Sequence, residues 1–495
     1  MSMQRIKPLA TILAEGSDET TGLKRTLGKW SLTAMGIGAI IGTGIFVLTG
    51  VASATRAGPA ITISFVIAGI VSALAALCYS EVASKIPISG SAYTYAYATF
   101  GELIAWIIGW DLILEYALGA ATVSIGWSGY FSNFLQSAFG WSLPANLAHA
   151  PYDVQHGVIV ATGGIMNLPA AAIILLITVL LVRGTKESGL VNGIIVAVKL
   201  AIVLFFLAVG VFHIDPANYH LAAGPLTGMG GYMPFGWTGV FGGAAFIFFA
   251  YIGFDAVSTT AEEAINPSKD LPFGIIASLS ICTVLYIAVV AVLNGMVPFN
   301  LLNVASPVSF AMIHAGVGWA AFIISIGAIA GLTTVLLVMM FGQSRIIYAM
   351  SRDGLIPKSF ASIHPKWRTP VVSTITFGIL IAAIAAFTPI DIVGSLTNMG
   401  TLAAFVLVSL ALPQIRRMYP QLANKGFTVP GGPWLIPILS AVTALGLIFS
   451  LKFGSPTIYG MPIPWFGFIV WLLVGLVFYY LYGVKQSNIA KGENL

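Results

Sequence analysis

The sequence predicts an all-α integral membrane protein of about twelve transmembrane helices, and three observations carry that reading. Of the 495 residues, 58% are hydrophobic and only 8% charged, whereas an ordinary soluble domain carries roughly 25% charged residues. Mean hydropathy is +0.95, so the apolar surplus has to face lipid rather than water. Stretches of about 20 apolar residues, the length that crosses a bilayer core, follow one another with brief polar punctuation. The spans fall at roughly 30–53, 60–82, 99–126, 167–182, 189–212, 237–261, 274–297, 318–345, 371–388, 392–412, 434–453 and 462–483.

Charge orients these spans. The first 29 residues are polar and lack the apolar core and small-residue cleavage site of a secretory signal, so they read as a cytoplasmic tail. With the N-terminus inside, every one of the 22 Lys and Arg residues falls on the cytoplasmic side except Arg56, Lys452 and the in-span Lys199. Lys24, Lys186 and Lys425 are among those inside, and the C-terminus is placed there as well. A net charge of +5 is therefore a matter of topology and does not point to a nucleic-acid partner. The longest outer loop, about 127–166, holds His149, Asp153 and His156 but no Lys or Arg.

Several chemistries are excluded or weakened. Cys78 and Cys282 each lie in an apolar run and read as packing residues. No phosphate loop, kinase signature, metalloprotease helix or dinucleotide fingerprint occurs, so no cofactor is expected and nucleotide-driven pumping has no site. An enzyme would have to use the HAPYDVQH segment, which is short of a third convincing metal ligand. A channel needs a continuous polar stripe, and this chain offers isolated polar points. Gradient coupling and exchange are left.

The first span, MGIGAIIGTGIFVLTG, crowds Gly36, Gly38, Gly42, Gly44 and Gly50 into one crossing, and the sixth, FGGAAFIFFAYIGFDAV, holds Gly242, Gly243 and Gly253. Such clusters serve close helix packing or mark a helix that opens. Matching interrupted helices in the two halves of a chain point to a midplane substrate site, and Asp255 beside Gly253 adds an acid at that depth. An opened helix exposes amides at one half-helix and carbonyls at the other. Amides around Thr43 and Gly44 suit a carboxylate, and carbonyls around Ile40, Phe249, Ala250 and Ile252 suit an ammonium. The breaks are placed at Gly42, Gly44 and Gly253.

Four strings resemble the amino acid–polyamine–organocation superfamily, and within it the bacterial members of the cationic amino acid transporter family. They are GIGAIIGTGIF, PISGSAYTYAYATFGELIAWIIGWDLILEY, FFAYIGFDAVSTTAEEAINPSKDLP and SRDGLIPKSFASIHPKWRTP. The resemblance covers about the first 420 residues. It implies a five-plus-five inverted-repeat (LeuT-like) core with helices one and six broken, and secondary active transport of L-amino acids. Residues 1–29 are then a cytoplasmic tail, 30–212 and 237–412 the two repeats, 434–483 two peripheral helices, and 484–495 a second tail. The cytoplasmic membrane of a bacterium is the expected location. A small single-span membrane subunit is one partner for which the lipid-facing flank leaves room.

Charges inside the spans supply the remaining candidates. Lys199 lies about ten residues from the basic end of its span, some 15 Å at the helical rise and too deep to snorkel comfortably. The resemblance suggests that its ammonium occupies the place of the cation held between spans one and eight in sodium-coupled relatives. Burial works against the ammonium form, so the group can change protonation as the cavity wets and dries, and proton coupling follows. Glu115 and Asp111 stand four apart on one face of span three, with Glu115 deeper and placed by the resemblance near the pocket. Asp255 has Tyr251, a backbone amide of the opened helix or the substrate amine as candidate partners, and Met339 matches the family's pocket-facing position. Glu262, Glu263, Lys269 and Asp270 at the cytoplasmic end of span six form a solvated face or, as the resemblance implies, an inner gate of charge pairs with Arg345, Arg352 or Asp353. The expected activity is import of neutral or cationic L-amino acids by proton symport, with obligate exchange as the competing reading.

Overall fold

A computed structural model describes residues 5–9, 25–88, 91–155, 157–184, 189–221, 230–422 and 426–492. Lys24, His156, Lys186 and Lys425 lie outside them, as does the side chain of Glu262. The principal helices are α1 (Lys29–Ile40), α2 (Ile61–Lys85), α3 (Ser91–Thr99), α4 (Glu102–Phe139), α5 (Leu168–Arg183), α6 (Gly189–Gly210) and α7 (Gly236–Ile247). They continue as α8 (Pro267–Met296), α9 (Gly318–Arg352), α10 (Val371–Phe387), α11 (Ile390–Met418), α12 (Leu435–Ser450) and α13 (Ile463–Phe478). Among the described residues, 8 helices are long and apolar enough to cross a membrane, and α5, α10 and α12 are shorter apolar helices.

Two helices extend beyond the predicted spans. The third span runs on to Phe139, well into the predicted outer loop, because Gly140 with φ +64 is the first residue shaped to end it. The seventh begins at Pro267, in the position where a missing N–H costs nothing. The all-α expectation meets two small exceptions: antiparallel hairpins Tyr152–Gln155 with Val158–Ala161, and Thr457–Ile458 with Met461–Pro462.

The long α4 is the central post, packed against α9, α11, α5 and α10, while α8 packs against α1 and α2. Span one is not a continuous α-helix. After α1 ends at Ile40 the chain bends at Ile41 and Gly42, resumes as a π-helical turn Gly44–Leu48, and passes through a second π turn at Ser53–Ala57. Span six opens more fully: α7 tightens into a 3₁₀ turn Phe248–Tyr251, extends at Ile252, turns at Gly253 and continues as 3₁₀ helix Asp255–Glu263. Gly253 has φ +120, which only glycine adopts freely.

The two ends of the bundle are closed by buried ion pairs. On the face that carries both termini, Lys7 Nζ lies 3.1 Å from Asp353, which also accepts the Tyr93 hydroxyl at 2.6 Å. Arg5 meets Glu102 at 3.2 Å, and Glu102 also accepts from Tyr479 and Ser487. Glu81, fully buried, accepts from Lys85, Arg416 and the amide of Val429. At the other end Arg56 grips both oxygens of Asp391 at 2.9 and 2.8 Å and donates to the Phe453 carbonyl at 2.6 Å.

Candidate functional site

Breaking two buried helices strands their backbone polar groups, and each such group needs a partner. The side chains that supply them define the centre of the molecule. Lys199 donates to the carbonyls of Gly38 at 2.7 Å and Ile41 at 3.2 Å, capping α1 from α6. Tyr286 on α8 donates to the Ile40 carbonyl at 2.7 Å, and Tyr130 on α4 to that of Phe46 at 2.7 Å. On the sixth span, Asn398 of α11 donates to the carbonyls of Ala245 at 2.9 Å and Phe246 at 2.6 Å. Sequence reasoning missed Tyr130, Tyr286 and Asn398; a lone amide inside an apolar helix was the available signal for Asn398.

Beside the breaks lies a cavity of about 340 Å³ measured out to its mouth, with a free interior only about the size of a water molecule. Its lining comes from α1 (Ala39), α4 (Glu115, Tyr116), the reopened span six (Ile252, Gly253, Asp255, Ala256) and α9 (Val335, Val338, Met339). The walls are apolar apart from the two carboxylates, both nearly inaccessible to solvent. Of the candidates named from sequence, Glu115, Ile252, Gly253, Asp255 and Met339 meet here. Tyr116, Val335 and Val338 were not named, although Val335 stands one helical turn from Met339 and Tyr116 adjoins Glu115.

Ile40, Thr43, Gly44, Phe249, Ala250 and Lys199 do not line this cavity. The Ile40 carbonyl is taken by Tyr286, and that of Phe249 accepts the Ile252 amide at 3.2 Å. Gly44 is pressed on Ala250 so closely that a Cβ on it would lie 2.3 Å from the Ala250 Cα. The amides of Gly42 and Thr43 donate to no carbonyl among the described residues, and the Thr43 hydroxyl is buried without a partner. Gly42 itself sits under Val335 of α9. Glycines of the two spans thus divide by role: Gly36 and Gly50 of span one allow close packing against Ser278 and Pro307, while the opening of span six turns on Gly253.

Of the two partners within the chain considered for Asp255, the backbone is the one it takes: Gly253 N donates to its carboxylate at 3.3 Å. Tyr251 instead donates to the Phe65 carbonyl of α2 at 2.7 Å. Lys199 lies between α1 and α9, where a Cβ on Gly331 would come 3.2 Å from its stem. Near the terminal face, the amides of Thr26 and Leu27 donate to the Glu263 carbonyl at 3.0 Å each, which ties the start of span one to the end of span six. Arg345 stacks over Phe341 at 4.1 Å, and Asp353 pairs with Lys7. Among the described residues no group of three or more His, Cys, Asp or Glu side chains is arranged to hold a metal.

A bundle with two helices opened side by side around an acidic, otherwise apolar pocket is the architecture of a membrane transporter. The sequence profile of the amino acid permease family matches residues 27–488, and the chain belongs to that family. It is 49% identical over 489 residues to the branched-chain amino acid permease BcaP of Bacillus subtilis (strain 168), covering 99% of each chain. It is 46% identical to the methylthioribose transporter of the same organism, covering 99% of this chain and 100% of that one. Cationic amino acid transporter 4 of Homo sapiens is 37% identical over 423 residues, 84% of this chain and 62% of the relative. The protein is a multi-pass membrane transporter and not an enzyme.

Proposed function

We propose that this protein imports apolar L-amino acids by proton symport across a bacterial cytoplasmic membrane, with both termini cytoplasmic. In this reading twelve spans form two inverted repeats, 30–212 and 237–412, with 434–483 peripheral. The observation that carries the substrate class is the cavity wall. Ile252, Val335, Val338 and Met339 present branched or flexible apolar surface to a side chain. Both bacterial relatives noted above match nearly the whole chain, and one of them is named for branched-chain amino acids.

The backbone supplies the rest. The undonated amides of Gly42 and Thr43 stand at the break beside the cavity and take the substrate carboxylate when span one moves, and its ammonium faces Asp255 and the Ile252 carbonyl. Two ionised carboxylates in one apolar cavity repel each other, so a proton has to accompany Glu115 or Asp255 whenever the amine compensates only one of them. Lys199 exchanges its hold on Gly38 and Ile41 as span one moves, which links protonation to the position of the half-helix. Glu262 and Glu263 with Arg345 and Arg352 gate the inner side.

The test is uptake of labelled leucine, alanine and arginine into proteoliposomes, empty or preloaded, with and without an inward proton gradient. Leucine should accumulate in empty vesicles only with the gradient, and arginine should not. Uptake confined to preloaded vesicles means an exchanger and removes the proton role of Lys199. Competition by methylthioribose without competition by leucine moves the substrate class to that of the second relative.

A further inference from the structure

Glu115 has a neighbour that the transport cycle above leaves unused. Asp111 lies one turn before it on the same face of α4, 2% exposed, and neither carboxylate oxygen has a hydrogen-bond partner. A carboxylate without a partner is costly at that depth, so the ionised form of Asp111 takes up a proton when one reaches it, whereas a structural acid would be expected to hold something. The surroundings instead reserve space for the group. Gly400 of α11 faces it, and a Cβ there would fall 2.6 Å from Oδ1.

Among the described residues no cation pairs with it. From α11 the neighbours of this stretch are Gly400 and Thr401, from α13 Trp471 lies against Trp110, and Met350 of α9 and Tyr93 of α3 lie against Gly109. On its own helix Glu102 is held by Arg5, Tyr479 and Ser487, while Glu115 and Tyr116 line the cavity together with Asp255 and Asp111 does not. The carboxyls therefore run in order from the cavity into the α4–α11 interface: Asp255, Glu115, Asp111.

We propose that Asp111 is the proton store of the symporter, receiving the coupling proton from Glu115 when substrate occupies the cavity; this rests on the proton-symport reading. The step is a single proton transfer. The O–H bond on the Glu115 carboxyl breaks, one forms on the Asp111 carboxylate, and the negative charge moves from Asp111 to Glu115, where it faces the substrate ammonium. Like-charge repulsion keeps the two from being ionised together, so the proton is retained on the pair while the cavity changes its side of access.

The experiment compares wild type, Asp111→Asn and Gly400→Ala in proteoliposomes, reading gradient-driven leucine accumulation, leucine counterflow without a gradient, and substrate-induced proton entry with a trapped pH dye. Asp111→Asn should lose accumulation by about a hundredfold, the scale of removing one proton-transfer group, and lose the proton signal, while counterflow continues near the wild-type rate. Gly400→Ala, which displaces the carboxyl without neutralising it, should weaken both proton readouts in the same direction. Wild-type accumulation and proton entry in Asp111→Asn overturn the proposal, and so does equal loss of accumulation and counterflow in folded, monodisperse protein. A wild type that ignores the proton gradient overturns the symport reading itself, an outcome visible before any variant is compared.

Discussion

Replacing Lys199 separates two contributions that the structure places on one side chain. Its ammonium, 1% exposed, caps the end of α1 through the carbonyls of Gly38 and Ile41. Lys199→Met keeps the length of the stem and leaves both carbonyls without a partner, at a cost of about 1–3 kcal/mol each. The same change removes a buried charge whose desolvation costs several kcal/mol, so the two terms largely offset and net destabilisation should stay near 2 kcal/mol or below. Coupling receives no such offset, since a thioether carries no proton. Lys199→Gln adds the discriminating case, because its amide can still donate to the carbonyls without titrating. Thermal unfolding in detergent, read beside gradient-driven uptake and counterflow, should show modest stability changes in both variants and no accumulation in either, with counterflow better preserved in Lys199→Gln. Gradient-driven accumulation by Lys199→Gln at the wild-type level would refute the reasoning, as the cap would then be the whole role of the residue.

Arg56 and Asp391 should behave as a buried pair: Arg56→Met or Asp391→Asn alone loses about 3–5 kcal/mol through the uncompensated partner, and removing both charges together loses less than either single change. A double-mutant cycle by thermal unfolding checks this, with additive losses as the contrary result. Gly44→Ala places a Cβ 2.3 Å from the Ala250 Cα, and since backbone cannot yield as a side-chain tip can, the two half-helices must separate at about 1–3 kcal/mol or more. Transport by Gly44→Ala should fall while expression is largely kept, and unchanged uptake kinetics would show that the contact is looser than it stands here.

The membrane class and the approximate positions of the spans were legible because they depend on local composition, which hydropathy reads directly. The opening of span six was legible for the same reason: Gly253 and Asp255 interrupt an apolar run where nothing local favours interruption. What the sequence withheld are pairings between distant segments. Arg56 and Asp391 are 335 residues apart, and nothing near either one announces the other. Tyr286 is an ordinary member of an apolar helix, and Lys199 a conspicuous charge without a visible partner, until the carbonyls freed by the bend at Ile41 and Gly42 lie within reach. The π turns at Gly44–Leu48 and Ser53–Ala57 fall in the same category, since they relax crowding among helices that meet only in the assembled bundle. For the site, helical spacing was enough to link Glu115 with its neighbours, yet which side of the break became a cavity depended on Gly44 closing against Ala250.

The grip of Lys7 on Asp353, and of Arg5 on Glu102 beside Ser487, sets an order on the birth of the molecule. Arg5 also donates to the Val484 carbonyl at 3.1 Å, and the Asp353 carbonyl accepts the Asn488 amide, so at ribosomal rates of about 5–20 residues per second this site is completed on the order of half a minute to a minute and a half after Lys7 is made. Arg5 and Lys7 can meet Glu102 and Asp353 earlier, but the full cluster with Tyr479, Val484, Ser487 and Asn488 forms only once the last helix has docked. The complete cluster is thus a mark that the end of the chain has reached its beginning.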